Sequence, residues 1–157
     1  HKLESAYNVL NEIEHEGYVC DEYTHSIMVN GLCKNRNVEA AERHLKYMNV
    51  MGFNSNLVAL NSVLDGLFKA DRINDAVDTF KSMDMRDAIT YSTLIHNLCK
   101  AGRYRCASRL LLTSVRSGIK IFQSTKRTVF DCLRYHGQSR EELKLRSKLR
   151  AAYAAHG

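Results

Sequence analysis

Three segments of this chain carry one pattern, and that internal repetition limits the possible folds more than any other feature. Residues 23–35 read YTHSIMVNGLCKN, residues 58–70 read VALNSVLDGLFKA, and residues 89–101 read ITYSTLIHNLCKA. Each has an apolar pair at the same place (Met28 and Val29, Val63 and Leu64, Leu94 and Ile95), then a leucine (Leu32, Leu67, Leu98), then a lysine (Lys34, Lys69, Lys100). After each lysine comes a polar break, NRN, DR or GR, followed by a second amphipathic stretch built around Ala41, Ala76 or Ala107. Val38, Ala41, Leu45 and Met48 fall at steps of three and four, as do Ile73, Ala76, Phe80 and Met83; such spacing makes one face of a helix. The repeating unit is therefore a helical hairpin. Neither helix can bury its apolar face alone, so hairpins must stack on their neighbours.

The chain lacks proline, which removes the strongest helix breaker, and Gly17, Gly52 and Gly118 stand where second helices should end in left-handed caps. With 45% hydrophobic residues among 157, it can bury a substantial core, and one folding unit is expected. No run of 18 or more apolar residues and no secretory leader pattern occurs, so a soluble protein is expected; any targeting peptide would lie upstream of His1. Five cysteines, Cys20, Cys33, Cys99, Cys106 and Cys132, form no C-x-x-C pair, which argues for free thiols rather than a disulfide framework or structural zinc.

The net charge of +6 is unevenly distributed. Residues 1–100 hold 10 Lys and Arg against 14 Asp and Glu, and residues 101–157 hold 13 against 3. A basic region attracts polyanions through phosphate neutralisation and counterion release, although a solvated basic helix surface has the same composition.

The run ITYSTLIHNLCKAGR, the following Ala107 and the return to Gly118 resemble the pentatricopeptide repeat pattern, whose commonest form is a 35-residue helical pair. Likeness to a plant organellar member of that family implies an all-α, right-handed superhelical solenoid of stacked helix-turn-helix repeats. On this pattern, residues 1–21 hold the second helix of an incomplete repeat, 22–56 a repeat, 57–87 a short repeat, 88–122 a repeat, and 123–157 a degenerate capping repeat. Because residue 1 falls within a second helix, the chain is expected to be one stretch of a longer array. Tetratricopeptide repeats favour a tryptophan and a terminal proline, and this chain has neither.

The resemblance implies recognition of single-stranded RNA, one base per repeat. In that family the fifth residue of a repeat and its last residue contact the base edge, which here gives Ser26 with Asn56, Asn61 with Asp87, and Ser92 with Phe122. The second position, implied to pack against base faces, holds Tyr23, Val58, Ile89 and, in the terminal repeat, Ser124. The chemistry agrees: short donors and acceptors suit a base edge, and apolar side chains one helical turn away suit a base face. Taken singly, a serine or asparagine near a helix start is an ordinary cap. Phe122 cannot hydrogen-bond a base edge through its side chain, which leaves the third full repeat a poor reader. Lys34, Lys69 and Lys100 can complement a helix dipole, and the resemblance also implies contact with RNA phosphates; both roles stay open.

In the terminal repeat the lysine place is Tyr135 and the alanine place is Glu142. Its last helix has Leu143, Leu149 and Tyr153 for one face and a basic remainder, as suits a cap. The seven histidines are scattered, Cys99 occupies the place of Cys33 and Phe68, and no phosphate loop, deaminase signature or nucleophile elbow appears. No catalytic site, metal or cofactor is expected. Two functions remain. One is a sequence-selective RNA adaptor, which by resemblance acts in mitochondria or chloroplasts in RNA processing, splicing, stability or translation. The other is a scaffold that binds other proteins of an organellar assembly without reading bases.

Overall fold

A computed structural model describes residues 2–53 and 56–156, apart from the side chain of Leu3. His1, Gly157 and residues 54 and 55 near the end of the first full repeat lie outside the described residues. Nine α-helices and no strand occur among the described residues: α1 (Lys2–His15), α2 (Glu22–Lys34), α3 (Val38–Val50), α4 (Leu57–Lys69), α5 (Ile73–Ser82), α6 (Ala88–Lys100), α7 (Tyr104–Arg116), α8 (Gln123–Tyr135) and α9 (Ser139–His156). The expected repeat starts Glu22, Leu57 and Ala88 are the first residues of α2, α4 and α6.

Side-chain caps set three of those starts. Asp21, Asn56 and Asp87 each stand one residue before the helix and accept a hydrogen bond from a first-turn amide, of Thr24, Ala59 and Thr90. The first helices end equally regularly. Fifteenth in each repeat comes a residue with positive φ: Arg36, Asp71, Gly102 and Gly137. The amide that follows it donates to the carbonyl of Leu32, Leu67, Leu98 or Leu133, at 2.8–3.0 Å, closing a Schellman turn. All four leucines are buried. One residue type thus anchors the core and, through its carbonyl, closes the turn into the second helix.

Second helices α1, α3 and α7 end at Gly17, Gly52 and Gly118, all with positive φ. Helix α5 has no such glycine. There Arg86 donates from Nε to the Phe80 carbonyl at 3.0 Å and from a terminal nitrogen to the Lys81 carbonyl at 2.7 Å, and its guanidinium lies over the Phe80 ring. A side chain thus satisfies carbonyls that the glycine turn serves elsewhere.

The helices form two compact units, divided between Thr79 and Phe80. In the first, α1 packs on α2, the α2–α3 hairpin closes on itself, and α4 lies against both of its helices. Gly66 marks that close approach, since a Cβ there would stand 3.1 Å from Cys33 Sγ. In the second, α6 and α7 form a hairpin, α8 lies against both, and α9 packs on α7 and α8. That unit therefore has two layers, α6 with α8 and α7 with α9.

Two expected faces are shifted. In α3, Ala41 and Met48 are buried as expected, but His44 goes inside and Leu45 is only half-buried. In α9, the expected Leu143 and Tyr153 are exposed; the buried face is Glu142, Leu145, Leu149 and Ala152, also spaced at three and four. A carboxylate defeats a purely apolar reading of that helix. Glu142 stays charged because Arg134 and Arg146 both bond it, and these hydrogen bonds hold its pKa below the ordinary carboxylate value.

His44 joins a buried polar chain that ties α1 to the first hairpin. Tyr7 Oη lies 2.8 Å from His44 Nδ1, His44 Nε2 lies 3.1 Å from His25 Nδ1, and His25 Nε2 faces Glu14 Oε1 at 3.5 Å. Tyr47 donates to the other Glu14 oxygen at 3.0 Å. With His44 neutral, the Tyr7 hydroxyl donates to its Nδ1 and its Nε2–H donates to His25 Nδ1, while His25 Nε2 and Glu14 Oε1 make no hydrogen bond among the described residues.

Two expectations follow. Arg36→Gly should stabilise the protein by up to about 1 kcal/mol, because glycine adopts positive φ without the Cβ penalty; a lower melting temperature would contradict this. Burial first, and then the neighbouring His25, hold the His44 pKa below the usual value of about 6.5, partly opposed by Glu14. The neutral imidazole is thus the folded form: its contribution is complete above about pH 6.5 and is lost as the pH falls below that value. Thermal melts on either side of that pH should show a smaller loss in His44→Gln than in the native chain.

Candidate nucleic-acid interface

Positions expected from the repeat pattern to face a base can be inspected in each unit separately. The second residue of each of the first three first helices is apolar yet exposed: Tyr23 at 73%, Val58 at 66% and Ile89 at 54%. Burial cannot explain apolar side chains there, because the same helices send Val29, Leu64 and Ile95 inward. One turn beyond Tyr23, Ile27 is also exposed and extends its apolar strip. The repeat alignment did not single out Ile27, although its spacing of four from Tyr23 was a readable signal.

The fifth residues differ. Ser26 is 4% exposed and donates to the Glu22 carbonyl at 2.8 Å, an ordinary intrahelical bond. Ser92 is 9% exposed and accepts from Thr125 Oγ1 at 3.0 Å, beside the His96 imidazole. Burial first, and Lys100 second, lower the His96 pKa, keeping that imidazole neutral near pH 7. Asn61 is half-buried, and its side-chain oxygen is buried with no hydrogen-bond partner among the described residues. A buried amide oxygen left unbonded is costly, which sets Asn61 apart from the bonded Ser26 and Ser92.

The last residues of the repeats do double duty. Asn56 accepts the Ala59 amide at 2.7 Å through Oδ1 and donates to Glu22 Oε1 at 2.7 Å through Nδ2. Glu22 thus fixes the amide orientation, a role the sequence pattern did not reveal. Asp87 accepts both the amide and the hydroxyl of Thr90, at 2.8 and 2.7 Å. Each side chain keeps hydrogen-bonding capacity beyond its cap. Phe122 stands at the same place before α8, makes no cap and is 50% exposed. Of the three pairs, the structure places Ser26 and Asn56 in the first unit and Ser92 and Phe122 in the second; Asn61 belongs to the first and Asp87 to the second.

Lys34, Lys69 and Lys100 are the last residues of α2, α4 and α6, eleven positions from the exposed apolar residues and so about 16 Å along each helix. All are exposed; Lys69 pairs with Asp65 one turn earlier, while Lys34 and Lys100 have no ion-pair partner among the described residues. The dipole role is met directly by position. Burial lifts the Cys33 thiol to about 11 and, together with neighbouring Cys132, the Cys99 thiol to about 12, so neither offers a thiolate at neutral pH. No group of three or more His, Cys, Asp and Glu side chains able to hold a metal occurs among the described residues.

Helical hairpins of this kind define an all-α helical-repeat solenoid. The model of the PPR repeat matches residues 23–53 and 58–87, a second PPR repeat model matches 85–111, and that of the PPR repeat family matches 1–34. The chain belongs to the pentatricopeptide repeat family. A pentatricopeptide repeat-containing protein of Arabidopsis thaliana is 41% identical over 80 residues, 51% of this chain and 17% of its own length. Another from that plant, named as mitochondrial, is 32% identical over 103 residues, 62% of this chain and 12% of its own; a third, named as chloroplastic, is 26% identical over 113 residues, 69% and 14%. The chain thus spans under a fifth of these relatives. The crystal structure of the pentatricopeptide repeat protein PPR10 from maize superposes with a TM-score of 0.75 at 21% identity, covering 97% of this chain and 22% of that one. A structure of PPR10 in complex with an 18-nt psaJ RNA element superposes with a TM-score of 0.74 at 21% identity, covering 95% and 22%.

The double role of Asn56 makes a stability prediction. Asn56→Ala removes the α4 cap and should cost about 1 kcal/mol, while Asn56→Ser keeps an acceptor and should cost a few tenths. Equal melting temperatures for the two variants would show that the cap contributes nothing.

Proposed function

We propose that this chain binds single-stranded RNA along the N-terminal ends of its first helices, reading one base per repeat. The observation that carries this reading is the recurrence of exposed apolar side chains, Tyr23, Val58 and Ile89, at one place in successive repeats, each three residues before a small polar side chain. A surface that repeats apolar platforms beside short hydrogen-bonding groups suits a strand of unstacked bases, each with an apolar face and a polar edge. The complex of PPR10 with an RNA element supports the same assignment by likeness of fold. Names of relatives that include both mitochondrial and chloroplastic members support an organellar setting, where the chain would serve as an adaptor in RNA processing, splicing, stability or translation.

The edge chemistry gives preferences. Asn56, with both a donor and an acceptor, can match the amino group and ring nitrogen of adenine, with Ser26 beside it. Asp87 can only accept, which favours a base with an imino N–H, uracil or guanine; by the family's pattern, the amide of Asn61 selects uracil. With RNA running parallel to the repeats, as the family implies, the first two full repeats prefer A then U, read 5′ to 3′. Phe122 offers a ring face in place of a polar edge, so the third repeat discriminates least. Lys34, Lys69 and Lys100 add affinity common to every sequence by approaching phosphates.

The test is a change of base preference. Asn61→Thr should move the preference at the second full repeat from U towards G, by on the order of 1 kcal/mol, because water rescues part of an imperfect edge contact. Titrations of an array carrying this repeat against RNAs differing at that one base would measure it. Equal binding of all four bases, before and after the substitution, would favour a scaffold that docks other proteins without reading bases.

A further inference from the structure

In the second unit, α7 and α9 carry a charge that hairpin packing does not require. Their counterparts in earlier repeats are nearly balanced: α3 has two basic and two acidic residues, and α5 has one basic and two acidic. Helix α7 has three arginines and no carboxylate, and α9 has five basic residues and two glutamates. Both glutamates are already engaged, Glu141 by Lys144 and Glu142 by Arg134 and Arg146. Arg105, Arg109 and Lys148 have no carboxylate within ion-pair distance among the described residues.

These charges frame a groove of about 260 Å³. Arg105 and Arg109 line it from α7, and Lys144 and Lys148 from α9 beside Glu141, which pairs with Lys144; each basic pair is one helical turn apart, so the cations form two facing rows. Leu133 of α8 forms part of the floor, which places the opening on the α7–α9 layer rather than among the α6 and α8 residues assigned to base reading. The floor is sealed, with Leu133 only 1% exposed and Leu112 and Leu145 also buried. A phosphodiester backbone is held through charge alone, which the unpaired Arg105, Arg109 and Lys148 supply.

We infer that the α7–α9 groove is a second RNA contact, which holds the phosphate backbone of the strand beyond the bases read by the first helices, without regard to sequence. It rests on the RNA-binding reading and differs from it in predicting a contact that depends on RNA length and salt but not on base identity. Three unpaired cations engaging three phosphates would add about 2 to the slope of log affinity against log salt, at about 0.7 per contact for a single strand.

The test uses the 157-residue chain and two RNAs, one just long enough for the first-helix row and the same RNA extended at both ends by uridines. The extension should tighten binding and steepen the salt dependence. Replacing Arg105, Arg109, Lys144 and Lys148 together by Ala should abolish that gain and return the slope to that of the short RNA, with short-RNA affinity and base preference unchanged. Alanine favours helix, and circular dichroism would confirm that the variant is folded. Arg105→Lys with Arg109→Lys, which keeps the charge, should retain the gain. An extension that adds nothing to the native chain, or a fourfold variant that weakens short and extended RNAs equally, overturns the inference. So does tight binding of a poly-glutamate peptide without any gain from the extension, which would mark a surface for acidic proteins. Loss of all base preference with the extension effect intact would instead sink the base-reading proposal and leave this groove standing.

Discussion

Between the two helices of each of four hairpins the backbone reverses through a residue in the left-handed conformation, and each time the carbonyl of a buried leucine accepts the amide that completes the turn. Everything else in the repeat is placed relative to that reversal. Burial of the leucine sets which face of the first helix turns inward, and the turn sets where the second helix begins. Glycine fills the reversal in the last two hairpins, while Arg36 and Asp71 hold positive φ in the first two, so hairpin packing and turn hydrogen bonds outweigh a backbone cost of about 1–2 kcal/mol.

With the C-terminal end of each first helix committed to the turn, the N-terminal end is free for contact. There the chain economises on residues: Asn56 and Asp87 cap the helix that follows and keep hydrogen-bonding capacity for a ligand. If these side chains read bases, as proposed, a rotamer fixed by capping lowers the entropy lost on binding. Ser26 and Ser92 are held still more closely, by the Glu22 carbonyl and by Thr125, whereas Asn61 has an unbonded oxygen. Repeats with one architecture therefore hold the fifth position in unequal hydrogen-bonding states.

Much of this was legible in the sequence because repetition multiplies weak signals. One Ser near a helix start says little; the same place filled by Ser26, Asn61 and Ser92 fixes the register, and the helices begin where that register puts them. What escaped depends on contacts distant in sequence. His44 lies inside because Tyr7 and His25 bond it, and Glu142 is buried because Arg134 and Arg146 neutralise it; a hydrophobic periodicity cannot foresee either. The clamp of Glu22 on Asn56 spans 34 residues and leaves no local mark. Arg86 replaces a glycine cap by a side-chain solution, which a search for glycine reads only as an omission.

The central claim is that bases stack on the exposed apolar residues of the first helices. Methyl-resolved NMR tests it directly, because a stacked base shifts a nearby methyl resonance by its ring current. On addition of single-stranded RNA, the methyls of Val58 and Ile89 should move upfield and saturate together, while those of the buried Val63 and Leu94 stay in place. Saturable RNA binding that leaves Val58 and Ile89 unmoved would contradict the account.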